Sequence, residues 1–154
     1  MTLVELVELA APYAVDFTYR GDYSERLDGR PYIAVRFVSL DENGHLLGEF
    51  ETRVMFDSGT KLTVLSHAAA TALNLGDLRN YEAGNLEGAV PGADIQCAVV
   101  PIMVQLCGRL LPIRAMFPRE TEPDPTRHLL GRDGVFDEAF FGLGGGESAL
   151  YATA

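Results

Sequence analysis

Asp57-Ser58-Gly59-Thr60 stands between two apolar runs, Val54-Met55-Phe56 before it and Leu62-Thr63-Val64-Leu65 after it. An apolar strand that ends on an acid, a hydroxyl residue and a glycine, then restarts as a second apolar strand, sets one carboxylate in a tight turn on a buried wall. Solubility does not explain an acid in that place. Glycine directly after the Asp-Ser pair carries no Cβ, so a ligand or a second copy of the loop can approach the backbone closely. The motif occurs once in the chain.

With 154 residues the chain fits one domain and is long enough to bury its own core. Its apolar runs fall far short of the ~18 residues that cross a bilayer, so no membrane partner is expected. No basic region precedes the first apolar residues, which predicts no secretory leader. Cys97 and Cys107 lack metal-ligand spacing and read as buried free thiols in a reducing cytoplasm. A net charge of −10, from 12 basic and 22 acidic residues, repels phosphate and excludes a nucleic-acid partner. The single lysine, Lys61, directly follows the Asp57 motif.

Most of the chain reads as β-strand. Thr2 and Glu5 form a capping box for a short helix, Leu3 to Ala10, ended by Pro12. Ala14 to Tyr19 alternates as a strand, and Gly21 to Gly29 is turn-like. Residues 1–29 thus read as an N-terminal extension ahead of a compact domain over 30–154. In that domain Pro31 to Val38 is a strand, Asn43-Gly44 marks a hairpin, and Leu46 to Phe56 returns into Asp57. Ser66 caps a helix over His67 to Leu75, with Gly76 as its left-handed terminator. Asp77 to Ala93 is loop-like and glycine-rich. Ile95 to Leu106 and Leu110 to Phe117 are paired strands. Leu129-Leu130-Gly131-Arg132-Asp133 then leads into a short helical segment, Val135 to Phe140, before a glycine-rich turn at Gly142 to Gly146 and a last strand.

Asp57-Ser58-Gly59, followed some 70 residues later by Leu129-Leu130-Gly131-Arg132, resembles the paired motifs of retropepsin-like, single-domain aspartic proteases. The elements between the motifs come in the same order, and the resemblance runs from about Arg30 to the C-terminus. It implies an all-β, closed, barrel-like acid-protease fold with one clear short helix after the Asp-Ser-Gly loop. It also implies an aspartic endopeptidase that needs neither metal nor cofactor and forms no covalent intermediate.

Hydrolysis by this route takes two carboxylates that share one proton, with a water between them. Two charges ~3 Å apart at an effective dielectric of about 20 repel by roughly 5 kcal/mol. That equals about four pKa units, so both are not ionised near neutral pH, and the pair titrates as a unit with activity in mild acid. One Asp per chain therefore requires a homodimer with two Asp57 carboxylates on its axis. The resemblance further implies that Ser58 donates a hydrogen bond across that axis, Gly59 admits the polypeptide substrate's backbone, and Thr60 lines the site. Leu129 and Leu130 supply apolar wall and core. Gly131 packs under the Asp57 loop, and a flap within Gly84 to Gly92, with Gly88 and Gly92 as substrate-facing glycines, closes over the peptide. The last strand, Leu150-Tyr151-Ala152, is expected to build the dimer sheet.

One position departs from the retroviral pattern. Lys61 stands where an acid usually pairs with the arginine of the second motif, here Arg132. Arg132 then takes Asp133 or Glu120 as partner, and Lys61 is free to meet an acidic substrate residue or to lower the apparent pKa of the acid pair. The three histidines, His45, His67 and His128, read as structural or solvated. A non-catalytic dimeric module on the same fold is the alternative reading. A small β-barrel binding domain with a coincidental motif is the other, and it would be monomeric and indifferent to Asp57→Asn.

Overall fold

The computed structural model describes residues 17, 19–22, 24–25, 31–90, 92–106, 108–123, 127–139, 141–144 and 149–153. The expected helix over Leu3 to Ala10 and the environment of Cys107 lie outside these residues. The expected strand Ala14 to Tyr19 lies mostly outside the described residues; β1 (Tyr19–Asp22) begins at its end and runs into the stretch expected as turn, and β2 (Ser24–Glu25) falls inside that stretch. Pairing imposes them: β2 runs antiparallel to the next strand, and β1 to the last strand of the chain. Residues ahead of Arg30 therefore supply strands to both sheets.

Strand β3 (Pro31–Leu40) and strand β4 (Leu46–Phe56) form the expected hairpin. Its connection is longer than a two-residue Asn-Gly turn. Asp41 N–H donates to His45 O at 2.8 Å, and the Asp41 carboxylate accepts from Asn43 and His45 N–H. Gly44 still takes the left-handed conformation, at φ +79°. β5 (Thr63–Val64) follows the Asp57 loop and leads to helix α1 (His67–Ala72). Ser66 caps α1 by accepting from Ala69 N–H at 3.2 Å. The helix stops earlier than the sequence predicts because Asn74, not only Gly76, turns left-handed (φ +56°). A Cβ on Gly48 would lie 2.5 Å from the Leu73 carbonyl carbon, and Ser39 Oγ donates to Leu73 O, so the end of α1 sits directly on the β3–β4 hairpin.

Asp77 to Ala93 is not loop throughout. A 3-10 turn at Leu78–Asn80 is followed by β6 (Glu82–Val90), which forms a hairpin with β7 (Ala93–Leu106). The strand is hard to read because Gly84, Asn85 and Glu87 disfavour it, and pairing to β7 overrides that preference. From Cys97 to Leu106, β7 then pairs with β8 (Arg109–Pro118), where burial alternates up to Arg114 and every residue from Ala115 to Pro118 is buried. β9 (Leu129–Leu130), β10 (Phe141–Gly144) and β11 (Ala149–Ala152) complete the chain. The segment expected to be helical after Asp133 is a run of turns, with Val135 and Phe136 N–H both bonded to Arg132 O. The glycines expected in a turn from Gly142 fall partly within β10.

Order along the larger sheet is β2-β3-β4-β9-β5-β8-β7-β6, and β3 also pairs with β7. That extra pairing closes β3, β4, β9, β5, β8 and β7 into a barrel, which leaves those strands without free edges. The fold is mostly β with one short α-helix among the described residues, as expected. Phe37, Val54, Leu65, Leu73, Val104, Phe117, Leu130 and Leu150 fill the interior with almost no exposure. Each contributes about 1.5–3 kcal/mol relative to an exposed side chain. Outside the barrel, β1, β11 and β10 form a separate three-stranded sheet with β11 in the middle. Leu150 and Phe141 carry that sheet's packing into the main core. No described helix is long and apolar enough to cross a membrane.

Candidate active site

Strand β4 carries the chain into Asp57, and the second motif lies alongside it. Met55 pairs with Leu129 and Phe56 with Leu130 in parallel. Met55 N–H donates to His128 O at 2.9 Å, and Asp57 N–H to Leu130 O at 3.0 Å. Past the turn, Arg132 N–H donates to Thr60 O at 3.0 Å and Asp133 N–H to Lys61 O at 2.8 Å. The Asp57 loop is therefore bonded to the Leu129–Asp133 segment on both its arms. These two distant pieces of sequence are one structural unit.

Gly131 makes that contact possible. A Cβ there would lie 2.5 Å from Leu62 C, 2.6 Å from Leu62 O and 2.8 Å from Thr63 N, all backbone atoms. Gly131 N–H donates to Thr63 Oγ1 at 3.1 Å, and Thr63 is fully buried. Thr63 stands in the apolar run after Asp57, where the sequence predicts a strand and no special contact. Its hydroxyl is the acceptor that a valine of the same shape would lack.

Asp57 is half-buried, and each of its carboxylate oxygens accepts one bond from its own loop. Gly59 N–H donates to Oδ1 at 2.9 Å and Thr60 Oγ1 to Oδ2 at 3.0 Å. An ionised carboxylate accepts about four hydrogen bonds, so two fixed partners orient the group and leave capacity for a water or a second acid. Thr60 thus bonds the acid directly, a closer role than the lining position expected of it. Ser58 and Gly59 are exposed, and a Cβ on Gly59 would meet only Asp57 Oδ1, at 3.2 Å. The solvent side of the loop is open.

Below the loop, Phe56 lies 5.1 Å from Phe136 and 5.3 Å from Phe141, whose rings are 5.4 Å from each other. This aromatic cluster links the strand that precedes Asp57 to β10. A second apolar group, Ile95, Cys97, Val99 and Met116 with Leu62 and Leu86, ties the β6–β7 hairpin to the residue after Lys61. Gly88 lies in β6 where its register with β7 becomes irregular, and Gly92 turns the hairpin at φ +76°. The hairpin expected within Gly84 to Gly92 is longer than that: only its first arm and turn fall there, and its returning arm is β7, pairing as far as Glu82 with Val99. Burial pushes the Cys97 thiol up to about 11, which keeps it protonated and unreactive near neutral pH.

Charge around the loop differs from expectation at one point. Asp133 does not take Arg132 as partner: Arg114 holds it in a two-pronged bond, at 2.9 and 3.0 Å. Two guanidinium nitrogens of Arg114 each meet one oxygen of the Asp133 carboxylate, a charge-assisted, two-pronged pairing. Glu120 does not hold Arg132 either; its charge acts on Arg79. Arg132 and Lys61 are both exposed. The Arg114 hydrogen bond lowers the Asp133 pKa from its ordinary value, with Lys61 a lesser contributor. A carboxylate depressed on folding stabilises the native state above its unfolded pKa of about 3.9, and that contribution is lost as pH falls through the folded value. Thermal melts of the wild type and Asp133→Asn should differ by a constant gap near neutral pH, closing below about pH 4. A gap that persists into acid would contradict the assignment.

The histidines stand away from the acid. His67 Nδ1 lies 2.9 Å from Pro118 O, and His128 Nδ1 lies 3.0 Å from Thr52 Oγ1 with its ring edge-on to Phe50. His45 sits 3.4 Å from Asp41 at the hairpin tip.

The sequence matches no protein-family model and no curated protein. Solved structures do match. A retropepsin-like aspartic protease from Rickettsia conorii superposes with a TM-score of 0.58 at 17% identity, over 91% of this chain and 97% of that one. The EIAV protease in complex with the inhibitor HBY-793 aligns over 75% of this chain and 93% of its own at 21% identity, with a TM-score of 0.43. With the barrel, the single helix and the two bonded motifs, the first of these matches shows that the chain has the fold of the retropepsin-like aspartic proteases.

Proposed function

We propose that the chain is an aspartic endopeptidase that works as a homodimer, with one Asp57 from each copy forming the catalytic pair. The observation that carries this reading is the half-buried Asp57 carboxylate, fixed by Gly59 N–H and Thr60 Oγ1 and open on its solvent side. A solvated surface acid has no need of a loop bonded on both arms to a second motif.

In the reaction, the ionised member of the pair takes a proton from the water as its oxygen attacks the scissile carbonyl carbon. The protonated member donates to the carbonyl oxygen, which gives a neutral tetrahedral intermediate. The carboxyl that took the water's proton passes it to the amide nitrogen, and as the C–N bond breaks the other carboxylate takes a proton from a hydroxyl of the intermediate, so the pair again holds one proton. Thr60 keeps each carboxylate oriented, Ser58 bonds across the axis, and Gly59 leaves room for the substrate backbone. The β6–β7 hairpin, with Gly88 and Gly92, closes over the peptide. Lys61 and Leu129 border the bound chain, while Leu130, Gly131 and Arg132 hold the loop from beneath. The buried free Cys97 fits a reducing, cytoplasmic setting.

Digestion of a diverse peptide mixture from about pH 4 to pH 7, read by mass spectrometry, tests the reading. Discrete internal cuts with an optimum in mild acid are expected. A wild-type protein that is dimeric and cuts nothing would instead be the non-catalytic module.

A further inference from the structure

Lys61 and Arg132 stand together on the outgoing side of the Asp57 loop. Arg132 N–H donates to Thr60 O at 3.0 Å and Asp133 N–H to Lys61 O at 2.8 Å, so both residues belong to the junction between the two motifs. Both side chains are exposed. Among the described residues neither has an ion pair or a side-chain hydrogen bond. The acids nearby are engaged elsewhere. Arg114 holds Asp133 with two bonds, and Asp137 accepts from Gly134 N–H at 3.1 Å. Lys61 acts on Asp133 only weakly, after Arg114.

With Arg114 and Asp133 matched to each other, the junction keeps two uncompensated cations beside Asp57, in a chain whose net charge is −10. Two like charges so placed repel each other, and an anion set against both relieves that repulsion. The chain's overall negative charge opposes an approaching acid at long range. At about 0.15 M salt, however, screening acts over about 8 Å, which mutes remote acids far more than cations in contact. Contact decides the outcome.

We propose that Lys61 and Arg132 form a subsite for acidic side chains of the polypeptide substrate, so that the enzyme selects Asp or Glu near the bond it cuts. The inference rests on the two-chain reading of Asp57 and goes beyond it in naming the substrate class. In a two-fold dimer each copy contributes one pair of cations, so the two pairs lie at equal distances on either side of the scissile bond. The preferred substrate then carries acids on both sides of the cut, at matching distances. A single exposed ion pair changes binding by up to about 5-fold, and with an acid on each side an acidic peptide should be favoured by about 10-fold.

Peptides matched in all but charge, digested by the wild type and read by mass spectrometry, test this. For a peptide with Glu at the preferred distance on both sides, kcat/KM should exceed that of its Gln twin by about 10-fold, mostly through KM. Raising the salt to about 1 M should shrink that ratio. Lys61→Gln and Arg132→Gln should each reduce it, and the double variant should remove it. Tm should hold, because both side chains are exposed and Arg132 bonds the loop through its backbone N–H, which Gln keeps. A wild type that cuts Glu and Gln twins equally well, or a double variant with the wild-type ratio, would overturn the acidic subsite and leave the peptidase reading standing. Loss of the dimer in the double variant, seen by sedimentation velocity, would also overturn it, by showing that the cations bond the partner copy. If no peptide is cut at all, the peptidase reading fails separately, and fluorescence anisotropy of the labelled twins decides the subsite. Tighter binding of the Glu peptide, lost in the double variant, would uphold it, and equal binding would overturn it.

Discussion

Asp57→Asn is expected to remove peptide cleavage, by roughly 10³-fold or more, while leaving the fold in place. Asn keeps an oxygen to accept from Gly59 N–H, and its amide can donate to Thr60 Oγ1, so both loop contacts survive in altered form. The cost in stability should be within about 1 kcal/mol. What is lost is the shared proton, since an amide neither accepts one from water nor yields one to the carbonyl. Peptide turnover and a thermal melt on the same preparation check both halves. A variant that retains wild-type turnover would remove Asp57 from the mechanism.

Gly131→Ala should have the opposite signature, with stability and activity falling together. Its methyl group would meet the Leu62 carbonyl carbon and oxygen and the Thr63 nitrogen at 2.5–2.8 Å. Those are backbone atoms of the Asp57 loop's outgoing arm, so no side chain can rotate out of the way. Relieving the overlap means moving the loop off the second motif and straining the buried Gly131–Thr63 bond. A loss of about 3 kcal/mol is expected, which for a chain of this size lowers Tm by roughly 6–12 °C. A Gly131→Ala protein with wild-type Tm and turnover would show that the two motifs are not rigidly joined.

These two substitutions fall on residues the sequence made plain, for a physical reason. A lone acid in a glycine turn between apolar runs, and a glycine after two leucines, are both positions where few other residues fit. The β3–β4 hairpin and the Ser66 cap were legible because local rules decide them. Strand β6 was not, because Gly84, Asn85 and Glu87 have no preference for a strand and only β7 makes one of them. β10 was hidden for the same reason behind Gly142 and Gly144. The partner of Asp133 was missed because Arg114 lies 19 residues away in sequence and meets it only through the barrel. Thr60 was placed at the site but not on the carboxylate, since its rotamer is set by the turn and not by its neighbours in sequence.

The central claim is that each active centre takes one Asp57 from each of two chains, and mixing tests it most directly. Wild-type and Asp57→Asn chains would be equilibrated at constant total concentration, well above the dissociation constant, and cleavage measured against the wild-type fraction. If both carboxylates are needed, mixed dimers are inactive and activity follows the square of that fraction, so an equal mixture retains about a quarter. An equal mixture that retains about half, with activity linear in the wild-type fraction, would mean that each chain works with its own acid alone and would contradict the account.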